Sequence, residues 1–590
     1  MLNDGFAALT GCASSASLGG NCLNSTRNES VCLSEKCIRL AANYLNNMNR
    51  QANPCSDFYT FACGRYAENK VVPEHAKKIT VLYEMKRDLD RHLKGRIFPI
   101  VGVDKEDDAG MIDYQVNDII DMERRIANAS FRTLSRSDFL RNHSAISNLM
   151  TYKDFRHRYP QIRWSLFFNE ELRESLGTLD DDMMVNVVDI GYFDGLSSLM
   201  KSKPLSSINN YMMWRLVSTF DVYLAQQYRI PAQKFHANMY GSTAEVPKWE
   251  NCVHNVAENM AMPLSTAYAS SYFSVDDREK AEEMITDLKS SMQRLLIEAD
   301  WMDELTRSAA LKKLDRMRHK IGFPDALLNE TAVLAPYEGV QIAVDNFFDN
   351  ALQLKRAAVR NVLSRIKKPP TDDDWASPVI AVDAFHYFAG NEIIFPAAIL
   401  QFPMFVPEAP FSVNYAAIGL GIGHEITHGY DDLGSQYDDL GNLRRWWDHT
   451  TLETFQKKRQ CFINQYNRQV EPNTHRNVDG RLTIGENIAD NGGLRVAYEA
   501  YRKRSLRESE FAVLPGFSKF SAEQLFFVAY ANTWCEAIKS SSINYIMDTD
   551  VHALGMFRVN VPLQNFPPFS EAFHCPVGSP MNPYEKCRIW

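Results

Sequence analysis

The cysteines constrain this chain before anything else does. Six precede residue 64 (Cys12, Cys22, Cys32, Cys37, Cys55 and Cys63), four close the chain (Cys461, Cys535, Cys575 and Cys587), and Cys252 stands alone between the groups. Clusters at opposite ends predict disulfides that staple the two ends into one body, which needs an oxidising compartment. Five Asn-x-Ser/Thr sequons, at Asn24, Asn28, Asn128, Asn142 and Asn329, point the same way. The opening MLNDGFAALTGCASSASLGG has no basic region followed by a sustained apolar run. Nor does any stretch offer the roughly 18 apolar residues of a spanning helix. The expectation is a chain outside the cytosol whose leader or anchor lies upstream of Met1.

With 590 residues the chain exceeds one compact core, so at least two lobes and room for a cavity are expected. A formal net charge of -9 gives no basic field and removes nucleic acid as a partner class. Apolar residues recur at helical spacing over Ser34 to Asn49, Lys77 to Leu93 and Asp276 to Lys320, which predicts a mainly α fold. Strand signals are confined to Val379 to Phe388 and Glu392 to Phe395, β-branched and aromatic runs bounded by Pro378, Gly390 and Pro396. Residues 1–31 are Gly/Ser/Asn-rich and read as a flexible leader, and the polar stretch Lys367 to Asp374 reads as a lobe boundary.

The chemistry is carried by His424-Glu425-Ile426-Thr427-His428. Two imidazoles four residues apart lie on one helix face, one turn apart, and can grip one cation, with the Glu425 carboxylate beside them. Zinc suits neutral imidazole nitrogens in a tetrahedral shell and, with three protein ligands, keeps one position open. Asn414 is the expected N-cap of this helix. Glu486 in Gly485-Glu486-Asn487-Ile488-Ala489-Asp490 is the best third ligand. Asp490, one turn on, is placed to accept the outward N–H of a ligand His and fix its tautomer.

At this point the sequence resembles a known family, that of neprilysin and the endothelin-converting enzymes. The likeness rests on NPCSDFYTFACG (Asn53 to Gly64), FPAAILQ (Phe395 to Gln401), NYAAIGLGIGHEITHGYDD (Asn414 to Asp432) and WWD (Trp446 to Asp448). It continues through GENIADNGGL (Gly485 to Leu494), DVHALGMFRV (Asp550 to Val559) and the terminal FSEAFHCPVGSPMNPYEKCRIW (Phe569 to Trp590). The resemblance implies a largely helical, two-lobed ectodomain around a central cavity, with a small sheet beside a thermolysin-like zinc helix. Residues 32–145 would be the first part of the catalytic lobe, 146–366 a helical lobe over the cavity, and 367–590 the zinc lobe. It also implies disulfides Cys32 with Cys37, Cys55 with Cys575, Cys63 with Cys535, and Cys461 with Cys587. Family members are secreted or are type II membrane proteins, so an anchor absent from this chain would be the only link to a membrane.

What the resemblance implies for function is a metalloendopeptidase with one Zn2+ per chain. His424, His428 and Glu486 would hold the metal, and Glu425 would take a proton from the attacking water. His552, oriented by Asp550, would support the oxyanion, and Arg558 would hold the substrate backbone. Ile399, Met404, Phe405 and Trp534 would form an apolar pocket, giving cleavage of oligopeptides before a large hydrophobic residue. Asp383 and Ala384 would meet the substrate backbone, and Lys78 its terminal carboxylate.

Three departures set limits. Relatives have Asn where this chain has Asp383, so an acceptor remains and a donor is lost. Lys78 stands for an arginine, a point charge in place of a fork. The stretch after Lys94 is shortened, which leaves Cys252 without the partner that its family counterpart has and Cys12 with Cys22 as an optional pair. The competing expectation is therefore an impaired relative that captures peptides without turning them over.

Overall fold

The computed structural model describes residues 30–94, 112–130, 141–172, 179–224, 244–366, 373–508 and 512–590, with a few single positions between 229 and 371. Cys12, Cys22, Asn24 and Asn28 lie outside the described residues, as do 367, 369, 370 and 372 of the expected lobe boundary. The chain is mainly helical with small sheets. Helix α1 (Glu35–Asn47) starts where the Ser34 hydroxyl accepts from the Cys37 amide, and it buries Cys37, Leu40, Ala41 and Tyr44 along one stripe. Ser30 and Val31, assigned to the leader from sequence, instead pair in parallel with Ala512 and Val513.

The segment expected as one helix from Lys77 divides. Lys78–Thr80 forms strand β1, and helix α2 (Val81–Lys94) follows. The β-branched pair Ile79-Thr80 favours the extended form, and a partner strand, Glu536–Ile538, supplies its hydrogen bonds. The long helical stretch from Asp276 also divides, into α3 (Val275–Glu298), opened by a Ser274/Asp277 capping box, and α4 (Glu304–Arg316), capped by Asp303. Its end leaves the helix as β2 (Arg318–Gly322).

β2 joins a three-stranded sheet with β3 (Phe385–Tyr387) and the fully buried central strand β4 (Glu392–Pro396). The strand expected from Val379 is thus only Phe385–Tyr387. Pro378 opens a turn closed by the Ala381 amide on its carbonyl at 2.9 Å, so Val379 and Ile380 enter the core from a turn.

The sheet abuts the helix that carries the His pair, α6 (Ile418–His428), which follows the short α5 (Phe411–Ala416) after a break at Ala417. Asn414 is not the N-cap of α6. It sits inside α5, and its amide clasps the preceding loop, accepting from Val406 N–H at 2.9 Å and donating to Val406 O at 2.7 Å. The Glu486 helix, α7 (Ile484–Glu508), packs on α6 through glycine. A Cβ at Gly423 would lie 2.8 Å from Gly493 O, and one at Gly493 would lie 2.7 Å from His424 N, so side chains at this crossing would force the helices apart.

Among the described residues four disulfides are formed: Cys32–Cys37, Cys55–Cys575, Cys63–Cys535 and Cys461–Cys587. Cys252 is free among the described residues. The main core runs from Cys37 to Trp590 and unites both ends of the chain, while Tyr152, Phe155, Tyr159, Leu179, Val187 and Leu363 form a separate small core. No helix among the described residues is long and apolar enough to cross a membrane. The sequon residues Asn128, Asn142 and Asn329 are exposed.

Candidate metal centre

α6 and α7 bring three donors to one point. His424 Nε2 stands 3.0 Å from His428 Nε2 and 3.1 Å from Glu486 Oε2, and His428 Nε2 stands 3.3 Å from that same oxygen. A tetrahedral zinc held at about 2.0–2.1 Å sets its donors roughly 3.3 Å apart, so this spacing fits the ion. All three side chains are buried and form the one such group found among the described residues.

The far nitrogens are held as well. His424 Nδ1 meets Asp490 Oδ1 at 3.0 Å, as the four-residue spacing from Glu486 anticipates, and Asp490 is itself gripped by Arg558 Nε at 2.8 Å and Nη2 at 2.7 Å. Burial works to raise the Asp490 carboxyl, yet Arg558 and His424 bring it below its ordinary range. Arg558 lies over the Trp534 ring at 3.6 Å. For His428 the partner is Asp431, 2.8 Å from Nδ1, a residue that sequence reasoning missed. Its signal was there, three residues past the second histidine, where a helix end lets a carboxylate turn back. Asp431 Oδ1 also accepts from the amides of Leu433 at 2.8 Å and Gly434 at 2.6 Å.

Glu425 points at the same cavity from α6, and burial pushes its carboxyl up, against the pull of His424 and His428. His552 sits opposite, with Nδ1 2.8 Å from Asp550 Oδ1 and Nε2 3.2 Å from Glu486 Oε2. Desolvation acts to lower His552, but the carboxylates of Glu486 and Asp550 carry it up to about 9.

These groups line a cavity of about 650 Å³. Lys78, Asp383, Ala384, Ile399, Met404 and Trp534 share its wall. Phe405 does not: it is 3% exposed and packs in the main core, because neighbouring Met404 takes the side of the chain that faces the cavity. Lys78 is drawn toward Glu536 at 3.4 Å and Asp550 at 3.8 Å. Asp383 opens onto the cavity yet is ringed by protein, and that desolvation pushes its carboxyl up; Oδ1 accepts the Ala384 amide at 3.0 Å. Two wall residues that sequence reasoning passed over are Arg141 and His386, whose Nδ1 lies 2.7 Å from Glu425 O.

Neprilysin-21 of Caenorhabditis elegans is 29% identical over 698 aligned positions, covering 95% of this chain and 90% of that protein. That alignment is longer than the chain itself, so gaps open on this chain's side. Endothelin-converting enzyme 1 of Rattus norvegicus is 34% identical and matches 81% of this chain, which spans only 61% of that protein's length. A crystal structure of the Mycobacterium tuberculosis zinc metalloprotease Zmp1 with an inhibitor superposes with a TM-score of 0.76 at 21% identity, over 92% of this chain and 99% of that one. It shares the fold. Matched over residues 95–324 and again over 383–589 by profiles of one and the same family, the chain belongs to peptidase family M13.

Proposed function

We propose that this protein is a zinc-dependent endopeptidase that hydrolyses short peptides on the amino side of large hydrophobic residues. The observation that carries the reading is the convergence of three donors within 3.3 Å on a cavity wall that also presents Glu425. A site with three protein donors leaves a position for chemistry, whereas structural zinc sites are closed, usually with cysteine.

When bound, zinc supplies a Lewis acid that acidifies a water and polarises the scissile carbonyl. The chain's own groups do the rest. Glu425, raised by burial, takes the proton of the attacking water and returns it to the leaving amine. His552, steadied by Asp550, offers Nε2–H to the oxyanion. Arg558 gives two donors to Asp490 and keeps Nη1 for a substrate carbonyl. Asp490 and Asp431 hold the two ligand imidazoles in the tautomer that binds metal through Nε2. Ile399, Met404 and Trp534 supply an apolar wall for the side chain after the cut. Lys78, shared with Glu536 and Asp550, is a weak anchor for a terminal carboxylate, which favours internal cleavage.

The likeness to ectodomain peptidases and the four disulfides support a site of action at the cell surface or beyond it, with oligopeptides as substrates. Lobes bounded near residues 146 and 367 belong to this reading.

The second reading, a peptide-binding relative with impaired turnover, is favoured by Asp383. Ionised, it has no donor for a substrate carbonyl. Hydrolysis of an internally quenched peptide by zinc-loaded protein separates the two. Cleavage that disappears in Glu425→Gln supports the enzyme, and no cleavage by folded protein with stoichiometric zinc supports the binder.

A further inference from the structure

The two helices that carry the metal donors are joined at one end by a side chain that belongs to neither. Arg141 reaches the cavity wall from far upstream, and its side chain is 9% exposed. Nη2 donates to Leu482 O at 2.9 Å, just before α7 begins, and Nη1 lies 3.7 Å from Asp432 Oδ1, just after α6 ends. The Arg141 carbonyl accepts from Gln436 Nε2 at 3.0 Å, and that amide also donates to Asp432 O at 2.9 Å. Gly485 leaves the room: a Cβ there would run into the guanidinium and stand 2.9 Å from Asp432 Oδ1 and 3.0 Å from Asp431 Oδ2.

Asp431 and Asp432 are neighbouring carboxylates, and both side chains are 0% exposed. Asp431 is fully engaged by His428 and two amides. Asp432 finds no hydrogen-bond donor for either oxygen among the described residues. A buried carboxylate without donors repels its neighbour unless a cation offsets it. Arg141 is that cation, with Arg459 acting on Asp432 more weakly.

We propose that Arg141 is a positioning residue of the metal centre: held in place by the Leu482 carbonyl, it neutralises Asp432 and so keeps Asp431 on His428. The proposal rests on reading the donor group as a zinc site. A guanidinium beside a dication weakens metal binding by charge alone, so simple electrostatics expects its removal to tighten zinc. Positioning demands the opposite.

The test is zinc release from the loaded enzyme at pH 8, followed with a chromogenic chelator, for wild type, Arg141→Gln, Asp432→Asn and the double variant. Arg141→Gln is expected to release zinc about tenfold faster or more, as loss of an outer support for a ligand does. Asp432→Asn and the double variant are expected to stay within about threefold of wild type, because the repulsion has gone with the carboxylate. Slower or unchanged release from Arg141→Gln, or a double variant as leaky as the single, overturns the proposal. If Arg141→Gln does not fold, the double variant against Asp432→Asn decides, and a gap of about tenfold or more between them is fatal. Wild-type protein that holds no zinc sinks the metal reading and this role with it, whereas zinc held equally by all four sinks only the role of Arg141.

Discussion

Helix Ile418–His428 and helix Leu205–Thr219 are both rich in apolar side chains, and they meet opposite fates. In the first, every residue but Gly421 is buried, polar ones included. In the second, Ser207 alone is buried, while Met212 is 63% exposed, Met213 51%, Trp214 47% and Leu216 51%. A helix apolar all round is stable only when enclosed. The His-bearing helix is packed by α3, α5, α7 and the sheet on every face but the one that lines the cavity, and that packing lets buried histidines and carboxylates keep fixed geometry. The other helix touches Ile112–Ser130 and keeps a broad apolar face toward solvent. Burial is thus far more complete on the helix that carries the donors than on Leu205–Thr219.

The contrast breaks or sharpens under mutation, and the largest effect belongs to the enclosed side. Glu425→Gln is expected to lower turnover of a quenched peptide by about 10²–10⁴-fold with zinc content unchanged. Turnover that survives removes Glu425 from the reaction. Next comes the cross-link that binds the two ends of the chain. Replacing Cys63 and Cys535 by Ala is expected to cost about 2–4 kcal/mol in denaturant unfolding, and an unchanged midpoint would mean that the enclosure needs no covalent help. Asp431→Asn is expected to weaken zinc about 10–100-fold in a competition titration, since His428 loses its anchor. Asp383→Asn is a gain: restoring a donor worth about 1–3 kcal/mol is expected to raise kcat/KM several-fold or more, and a fall would show that the carboxylate serves this enzyme's own substrates. The smallest effect lies on the open helix. Met212→Gln is expected to change stability by less than about 0.5 kcal/mol, and a cost above about 1 kcal/mol would mean that this face is covered in solution.

What could be read beforehand followed from short-range geometry. His424 with His428 and Glu486 with Asp490 are each four apart, so a helix alone puts each pair on one face, and the helix is what the surrounding apolar residues specify. The pairings of Cys55, Cys63 and Cys461 came from likeness, because spacing cannot choose among so many partners. Asn414 was misread because Asn before an apolar run is a cap signal, yet here its amide found a loop to clasp instead. Lys78 to Thr80 went to a strand because its partner, Glu536–Ile538, lies far along the chain. Arg141 left no local trace at all, since its contacts with Leu482, Asp432 and Gln436 are all long-range.

Two of the disulfides have a consequence in time. Cys55 and Cys63 leave the ribosome long before their partners Cys575 and Cys535, with sequence separations of 520 and 472. A growing polypeptide therefore displays its His pair before the framework around it exists. The two ends are joined only once Cys535 and Cys575 have been made, and a nick in the stretch between Cys63 and Cys535 would leave two pieces still covalently fastened.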